Sequence, residues 1–297
     1  MRPLVSIITV NYYSEKEILA CFSSIEKFNS VNYEFIVVSN STLKPEFKQQ
    51  FDSAKNLVFH QNDSNLGFAK ACNTGAKLAK GEYLFFLNPD TRFLNDVIHQ
   101  LISCYQSFKK PGLIGPATVN IKKKAVPTAK NHISKKYFLS LLFPFLNFLL
   151  PSTAKSGHFS PPSTQKVPVI NGHALFIRHE NFKNLGGMEE DFFMYWEEND
   201  LCLRLQQSGQ KVIYCSEAKI LHKSGTSTSP YFTLMEIEKH RSQKKFVLKH
   251  YPHWNIYNRV TGVLAYFWRT LASILIFRRR KAKQFWNIFV WYCFKYN

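Results

Sequence analysis

NLGFAKACNTGAKLAKGEYLFFLNPDT, residues 65–91, is the stretch that decides the fold, because it places a helix directly before a buried strand. Apolar and small side chains recur on one helical face over residues 68–79, and Gly81 suits the position that follows a helix. Residues 82–87 then form a continuous apolar run, which is typical of a strand covered on both faces. Asn88-Pro89-Asp90 ends that strand. The stretch therefore predicts a helix–strand unit with a polar turn at the carboxyl end of the strand.

The same alternation continues towards the N-terminus and for one helix beyond the stretch. It predicts strands at residues 4–10, 33–38 and 57–60, and helices at residues 14–28 and 94–107. Strands that alternate with helices predict an α/β domain with a largely parallel sheet. Ligands of such sheets bind at the carboxyl ends of the strands. We therefore expect Ser39-Asn40-Ser41 and Asn88-Pro89-Asp90 to line one crevice.

The second half of the sequence is less regular. A strand at 167–178, a helix at 197–207 and short closing strands at 211–214 and 218–222 are predicted after an irregular middle, 120–165. That middle contains the basic run 122–124, the apolar run 137–150 and a Ser/Pro/Thr-rich loop at 151–165. We predict one domain over residues 1–240, with two halves, 1–115 and 116–240. Residues 241–297 are predicted to form a separate tail.

Composition restricts the class of protein. The 297 residues carry a formal net charge of +19, which favours anionic partners such as phospholipids, nucleic acids or phosphorylated small molecules. The six cysteines are scattered and form no CxxC pair, so a disulfide framework or a zinc site is not expected. The apolar run after Met1 is too short for a signal peptide, and a cytoplasmic location is expected.

The C-terminal tail joins basic and apolar residues. Residues 260–277 are mostly apolar but contain Arg269, and cations at 278–281 and 283 are followed by tryptophan, phenylalanine and tyrosine. Such a segment suits a helix that lies in the interface of an anionic membrane, here the cytoplasmic face of the inner membrane. A membrane span and a basic helix that caps the core remain open alternatives. A nucleic-acid interface is disfavoured, because the cations cluster beside an apolar segment and not along the α/β domain.

Three further blocks accompany the stretch at 65–91: SIITVNYYS at 6–14, NGHALFIRHENFKNLGGMEEDFFMYWEENDLCLRLQQSG at 171–209, and ILHKSGTS at 220–227. Together they resemble glycosyltransferase family 2, in particular its rhamnosyltransferase-like branch of bacterial surface polysaccharide and O-antigen synthesis. The resemblance covers about residues 4–228. It implies a GT-A-type, Rossmann-like nucleotide-sugar domain, followed here by an amphipathic helical tail. Within the domain it implies a nucleotide-binding half, 1–115, and an acceptor or catalytic half, 116–240.

The resemblance places a metal motif on Asn88-Pro89-Asp90. A departing nucleoside diphosphate gains negative charge, which a divalent cation neutralises, and Mg²⁺ or Mn²⁺ prefers oxygen ligands. Asp90 supplies one such ligand, Asn88 stands where the motif usually has its first aspartate, and His222 is expected to complete the metal shell. From the residues alone, a strand-ending turn and a structural histidine remain open.

The resemblance also places the catalytic base on Glu198. An inverting transfer needs one carboxylate beside the acceptor hydroxyl, opposite the leaving group. Glu197 and Asp200 share another face of the helix and are expected to bind acceptor or to orient the site. Favourable placement of acidic residues at a helix N-terminus is the structural alternative for all three.

The nucleoside site departs from the family pattern. Ser39 stands where the family usually has an aspartate that reads the base, so Thr9 and Asn11 join Ser39 as candidates for donor contact. The resemblance implies an inverting, metal-dependent transfer from a dTDP- or UDP-linked sugar to a lipid-linked glycan. Rhamnose is one donor sugar beside galactose, galactofuranose, glucose and N-acetylhexosamines. The alternative is a non-catalytic scaffold of the same fold at the membrane.

Overall fold

The computed structural model describes residues 3–51, 56–134, 137–138, 157–223 and 232–296. Internal contacts divide the chain into two compact units. The α/β unit comprises residues 1–130, 158–193 and 197–227, and the helical unit comprises residues 131–157, 194–196 and 228–297. The boundary expected after residue 240 falls inside a helix, Phe232–His250. The division therefore lies nearer residue 228, and the helical unit also takes in part of the middle of the chain.

The α/β unit contains thirteen described strands and six described helices. The strands are β1 (Val5–Asn11), β2 (Tyr33–Ser39), β3 (Leu57–Gln61), β4 (Tyr83–Leu87), β5 (Thr91–Phe93), β6 (Pro111–Val119), β7 (Ala125–Val126), β8 (Ala129–Lys130), β9 (His158–Phe159), β10 (Gln165–Lys166), β11 (Val169–Ile170), β12 (Ala174–Arg178) and β13 (Lys211–His222). The helices are α1 (Glu15–Phe28), α2 (Pro45–Gln49), α3 (Phe68–Leu78), α4 (Val97–Ser107), α5 (His179–Asn184) and α6 (Glu197–Gln207).

The described strands form one large sheet and one small one. The large sheet has the order β10-β13-β6-β12-β4-β1-β2-β3, with β5 paired to β13 and β7 paired to β6. Strands β4, β1, β2 and β3 run parallel, and β12 runs antiparallel to both β4 and β6. The small sheet has the order β11-β8-β9. The prediction of an α/β fold is confirmed, but the large sheet is mixed and not largely parallel, because β5, β7, β10 and β12 pair antiparallel with their neighbours.

Alternating side chains cover both faces of the large sheet. In β1, Val5 and Ile7 enter the core on one face, and Ile8 enters the core on the other. Helix α3 packs on the second face through small residues, which let its backbone approach the sheet closely. A Cβ atom on Gly75 would lie 2.4 Å from Cγ2 of Ile8, so this glycine sets the distance between helix and strand. The apolar spacing of residues 68–79 thus identified the correct buried face.

Two strand predictions need correction. The strand expected over 167–178 is broken, because β11 joins the small sheet while β12 joins the large one, with Asn171-Gly172-His173 between them. The two closing strands expected at 211–214 and 218–222 are one strand, β13, whose pairing with β6 shifts register between Cys215 and Lys219. This bulge lets β13 continue to His222, where it pairs with β5.

The helical unit contains α7 (Phe232–His250), α8 (Asn255–Leu275) and α9 (Arg279–Val290), with short helical turns at Pro252–Trp254 and Trp291–Lys295. A buried polar network lies among its helices. His240 bonds the hydroxyls of Tyr266 and Tyr292, each at 2.7 Å, and burial lowers the pKa of His240 to about 3. Among the described residues, no helix combines the length and the apolar character needed to cross a membrane.

Candidate active site

The first group of predicted site residues lies where parallel strands end. Asn11 at the end of β1 pairs in register with Ser39 at the end of β2, and Asn88-Pro89-Asp90 follows β4. The turn after β4 is fixed by its own hydrogen bonds. The backbone N–H and the hydroxyl of Thr91 both donate to the carbonyl of Asn88, at 3.2 and 2.7 Å. Asp90 therefore lies on a tight turn at the carboxyl end of β4.

Asp90 and His222 meet although they are far apart in sequence. β5 and the end of β13 pair antiparallel, with Thr91 opposite His222, and the backbone N–H of Lys223 donates to the carbonyl of Asp90. Nε2 of His222 lies 3.1 Å from Oδ1 of Asp90. Burial acts to raise the pKa of Asp90, but the hydrogen bond and charge of His222 outweigh it, so the pKa lies below its usual value. The pair thus favours a carboxylate.

A second histidine, which sequence reasoning missed, supports this pair. The ring of His173 stacks on that of His222 with centroids 4.5 Å apart, and Nε2 of His173 is 2.8 Å from the hydroxyl of Thr118. Burial, followed by the charge of His222, lowers the pKa of His173 to about 3, so it is neutral near pH 7. The neutral ring of His173, held by its hydrogen bond to Thr118, can keep the imidazole of His222 in one orientation by stacking.

The donor set suits a hard divalent cation that shares its coordination with a substrate. Asp90 offers a carboxylate oxygen and His222 an imidazole nitrogen, and Asn88 lies two residues away on the same turn. The described part of the chain holds no cluster of three or more His, Cys, Asp or Glu side chains arranged for a metal. Mg²⁺ sites of this kind use one or two protein ligands, with phosphate oxygens and water completing the shell.

The acidic cluster begins helix α6. Oε1 of Glu198 accepts from Nζ of Lys130 at 2.6 Å, in a pair whose side chains are only 10% and 17% exposed. Oε2 of Glu198 and Oε2 of Glu197 are buried and accept no hydrogen bond from the residues that the structure describes. Burial, followed by the charge of Glu198, raises the pKa of Glu197 well above its usual value. The cluster thus offers one ion-paired carboxylate with a free oxygen beside a carboxyl that favours its protonated form.

Asp200 has a different environment. It is fully buried, and its Oδ2 accepts from Nε of Arg204 at 2.6 Å. The other two guanidinium nitrogens of Arg204 donate to the carbonyls of Leu185 and Gly187, both at 2.8 Å. Of the two roles expected for Asp200, these contacts favour the orienting one, since Asp200 holds the guanidinium of Arg204, which ties α6 to the loop that follows α5.

A three-residue segment between β11 and β12 joins the two halves of the site. The carbonyl of His173 accepts from the backbone N–H of Asn88, and the ring of His173 contacts His222. A Cβ atom on Gly172 would lie 3.6 Å from Oε1 of Glu197 and 3.7 Å from Cβ of Glu198. Consecutive Cα atoms are about 3.8 Å apart. His222 therefore contacts His173, and the acidic cluster lies against Gly172, the residue immediately before His173.

The residues expected to contact the nucleoside are more enclosed. Asn11 Nδ2 donates to the hydroxyls of Ser39 and Ser41 at 2.8 and 3.2 Å, and its Oδ1 accepts from the backbone N–H and the hydroxyl of Ser14. Ser39 is fully buried and its hydroxyl donates to the carbonyl of Ser41. Thr9 is also fully buried, and its hydroxyl has no hydrogen-bond partner. Asn11 and Ser39 therefore shape the strand ends through contacts within the protein.

A profile of Glycosyl transferase family 2 matches residues 6–159. The chain belongs to this family. Low-salt glycan biosynthesis hexosyltransferase Agl10 of Haloferax volcanii is 27% identical over 222 residues, which are 73% of this chain and 66% of that protein. The N-acetylglucosaminyl-diphospho-decaprenol L-rhamnosyltransferase of Mycobacterium tuberculosis is 22% identical over 267 residues, which are 86% and 87% of the two chains.

The fold also agrees with solved structures. The mannosyltransferase PcManGT from Pyrobaculum calidifontis, in complex with GDP-Man and Mn²⁺, matches with a TM-score of 0.59 and 12% identity, over 99% of this chain and 88% of that one. Likeness at this identity is one of fold. The resemblance to family 2 with rhamnosyltransferase relatives and the GT-A fold, both expected from the sequence, are confirmed.

Proposed function

We propose that this family 2 glycosyltransferase catalyses an inverting, metal-dependent transfer from a nucleoside-diphosphate sugar to a hydroxyl of a lipid-linked glycan. One observation carries the proposal: the Asp90–His222 pair and the carboxylate of Glu198 flank the same segment, Gly172-His173. Such an arrangement gives one group for the leaving diphosphate and another for the attacking hydroxyl. A turn that merely ends β4, or acidic residues that merely begin α6, would not require the two groups to lie against one segment.

Asp90 and His222 are the residues that would hold Mg²⁺ or Mn²⁺, with Asn88 available on the same turn. The bound cation would neutralise the charge that develops on the departing diphosphate. His173 stacks behind His222 and keeps its ring in place, while the backbone bond from Lys223 to Asp90 holds the end of β13 against the turn.

Glu198 is the proposed base. Its Oε1 accepts from Lys130, and its Oε2 is buried with no hydrogen-bond partner among the described residues. Glu197 and Asp200 are proposed to orient the site, Glu197 as a neighbouring carboxyl and Asp200 through Arg204. A correctly placed general base contributes about 10²- to 10⁴-fold to the rate.

We propose a dTDP- or UDP-linked donor, with rhamnose as the first sugar to test. Relatives named as L-rhamnosyl and dTDP-rhamnosyl transferases support this choice. Ser39 lies at the strand end where the family pattern has a base-reading aspartate, and Thr9, Asn11, Ser39 and Asn88 remain proposed donor contacts. The name of the mycobacterial relative includes a decaprenol diphosphate, which supports a lipid-linked acceptor.

The helical unit is proposed to rest peripherally on an anionic membrane, at the cytoplasmic face of the inner membrane. Large apolar side chains are exposed along α8 and just beyond it: Ile256, Val260, Leu264, Trp268, Leu275 and Phe277. Five exposed cations follow directly: Arg278, Arg279, Arg280, Lys281 and Lys283. Apolar residues beside cations suit a helix that lies in a membrane interface.

Flotation with phosphatidylcholine vesicles, with and without phosphatidylglycerol, tests this surface. Replacing the five cations by glutamine should weaken binding to the anionic vesicles, by about 1 kcal/mol for each charge near the surface. The matched control replaces the three lysines at 122–124, which lie in the α/β unit. An equal loss of binding free energy per removed charge in the two variants would mean that only net charge matters and would contradict a defined membrane surface.

Calorimetric titration with UDP, TDP and GDP, each with and without Mn²⁺, tests the donor site. We expect metal-dependent binding of TDP or UDP, and loss of the metal dependence in Asp90→Asn. Asp63→Asn, at an exposed position, is the matched control and should bind as the wild type does. A folded protein that binds none of the diphosphates would favour the non-catalytic scaffold.

A further inference from the structure

The small sheet positions Lys130 beside the proposed base, Glu198. It ends β8, the central strand of the small sheet, where it pairs in register with Val169 on one side and His158 on the other. The carbonyl of Thr128, two residues earlier, accepts from the backbone N–H of Asn171 at 2.8 Å. The chain just before Lys130 is therefore hydrogen-bonded to the segment Asn171-Gly172-His173. That segment lies between the Asp90–His222 pair and the Glu197–Glu198 pair.

Lys130 forms its ion pair with Glu198 through one carboxylate oxygen. Nζ of Lys130 lies 2.6 Å from Oε1 of Glu198, and the pair is largely removed from solvent. Glu197 is the adjacent residue and is 4% exposed. Two neighbouring buried carboxyls are not both ionised without a large cost, because like charges repel strongly at low dielectric. A cation bonded to one of them decides which one carries the negative charge.

We propose that Lys130 is a positioning residue that fixes the single negative charge of the Glu197–Glu198 pair on Glu198. This inference rests on the proposed function, because it assigns the partner of the proposed base. The high pKa of Glu197 agrees with it, since a protonated Glu197 carries no competing charge. Lys130 then acts through Glu198 and need not touch substrate.

Among the described residues, three titratable side chains near the pair do not offer an alternative charge. Burial raises the pKa of the Cys202 thiol, one turn further along α6, to about 12. Burial also raises the pKa of Cys72, near Glu197, well above its usual range. Arg204, on the next turn, is engaged by Asp200 and by the loop carbonyls. Strand β11, which packs on α6, contributes only Val169 and Ile170.

The first test needs no donor. In protein labelled with ¹³Cδ-glutamate, the resonance of Glu198 is the one that disappears in Glu198→Gln. We expect its shift at pH 6 to be that of a carboxylate in the wild type and in Lys130→Arg, and to move towards that of a carboxylic acid in Lys130→Met. Lys130→Gln replaces Lys130→Met if the latter fails to fold. An unchanged Glu198 resonance in the neutral variant overturns the proposal.

The second test uses turnover. With a donor accepted by the wild type, the acid limb of the pH profile of kcat/KM should move up by about one pH unit in Lys130→Met, which corresponds to a tenfold difference in stabilisation of the carboxylate. Lys130→Arg should restore the profile, and the exposed Lys124→Met should not alter it. An unmoved profile beside an inactive Glu198→Gln refutes the role of Lys130 alone. A fully active Glu198→Gln refutes the proposed base instead.

Discussion

Replacing Arg204 by methionine should destabilise the α/β unit far more than the loss of an ordinary surface ion pair. Arg204 donates to the buried carboxylate of Asp200 at 2.6 Å and to the carbonyls of Leu185 and Gly187, both at 2.8 Å. Its removal leaves a fully buried carboxylate without this partner. Breaking a buried ion pair from one side costs about 3–5 kcal/mol, and we expect a free energy of unfolding lower by that amount.

Urea unfolding followed by circular dichroism measures this effect, with the free energy extrapolated to water. The matched control is Arg178→Met, because Arg178 pairs with Glu82 at 2.5 Å while the two side chains are 43% and 45% exposed. Exposed pairs contribute about 0–1 kcal/mol. The double variant Asp200→Leu/Arg204→Met should recover much of the loss, since no buried charge remains. Similar small losses in Arg204→Met and Arg178→Met would refute the reasoning.

Two further predictions follow, one for the helical unit and one for the α/β unit. His240 has a pKa of about 3 in the folded protein, below its ordinary value of 6.5, so the unfolded chain binds the proton more readily and the helical unit should lose stability as the pH falls from about 6.5 towards about 3. Melting curves across this range should show a weaker pH dependence in His240→Gln, and an identical dependence would contradict the assignment. Gly67→Ala should cost about 1–3 kcal/mol more than Gly209→Ala in urea unfolding. Both glycines have positive φ, but only at Gly67 would the added Cβ meet another group, the carbonyl oxygen of Phe193 at 2.3 Å, so equal costs would contradict the clash.

The fold was largely predictable because its signals are local. The helical spacing of residues 68–79 and the apolar run that follows describe α3 and β4 to within a residue or two at each end. The strand expected over 167–178 was wrong, because continuous β propensity does not reveal that β11 and β12 belong to different sheets. The composition of the helical unit was equally hidden, since the described residues among 131–157, such as Phe138 beside Trp254, join the C-terminal residues only in three dimensions.

The candidate site was predictable in part, for a related reason. Asp90, His222 and Glu198 lie in motifs whose residue types match a known chemistry, so their sequence context made them candidates, and the structure brings Asp90 and His222 together. Lys130 and His173 carry no such signal, because each acts through a contact with a residue far away in the chain. Only the i, i+4 spacing of Asp200 and Arg204 on α6 could have predicted their ion pair directly.

The Glu198→Gln variant tests the central claim most directly, when transfer and donor binding are both measured on the full-length protein. Glutamine keeps the shape of the side chain and removes its ability to accept a proton. We predict that the rate of transfer falls by about 10²- to 10⁴-fold, while Mn²⁺-dependent binding of the diphosphate is unchanged. Retained transfer, or an equal loss of transfer and of diphosphate binding, would contradict the assignment of Glu198 as the base.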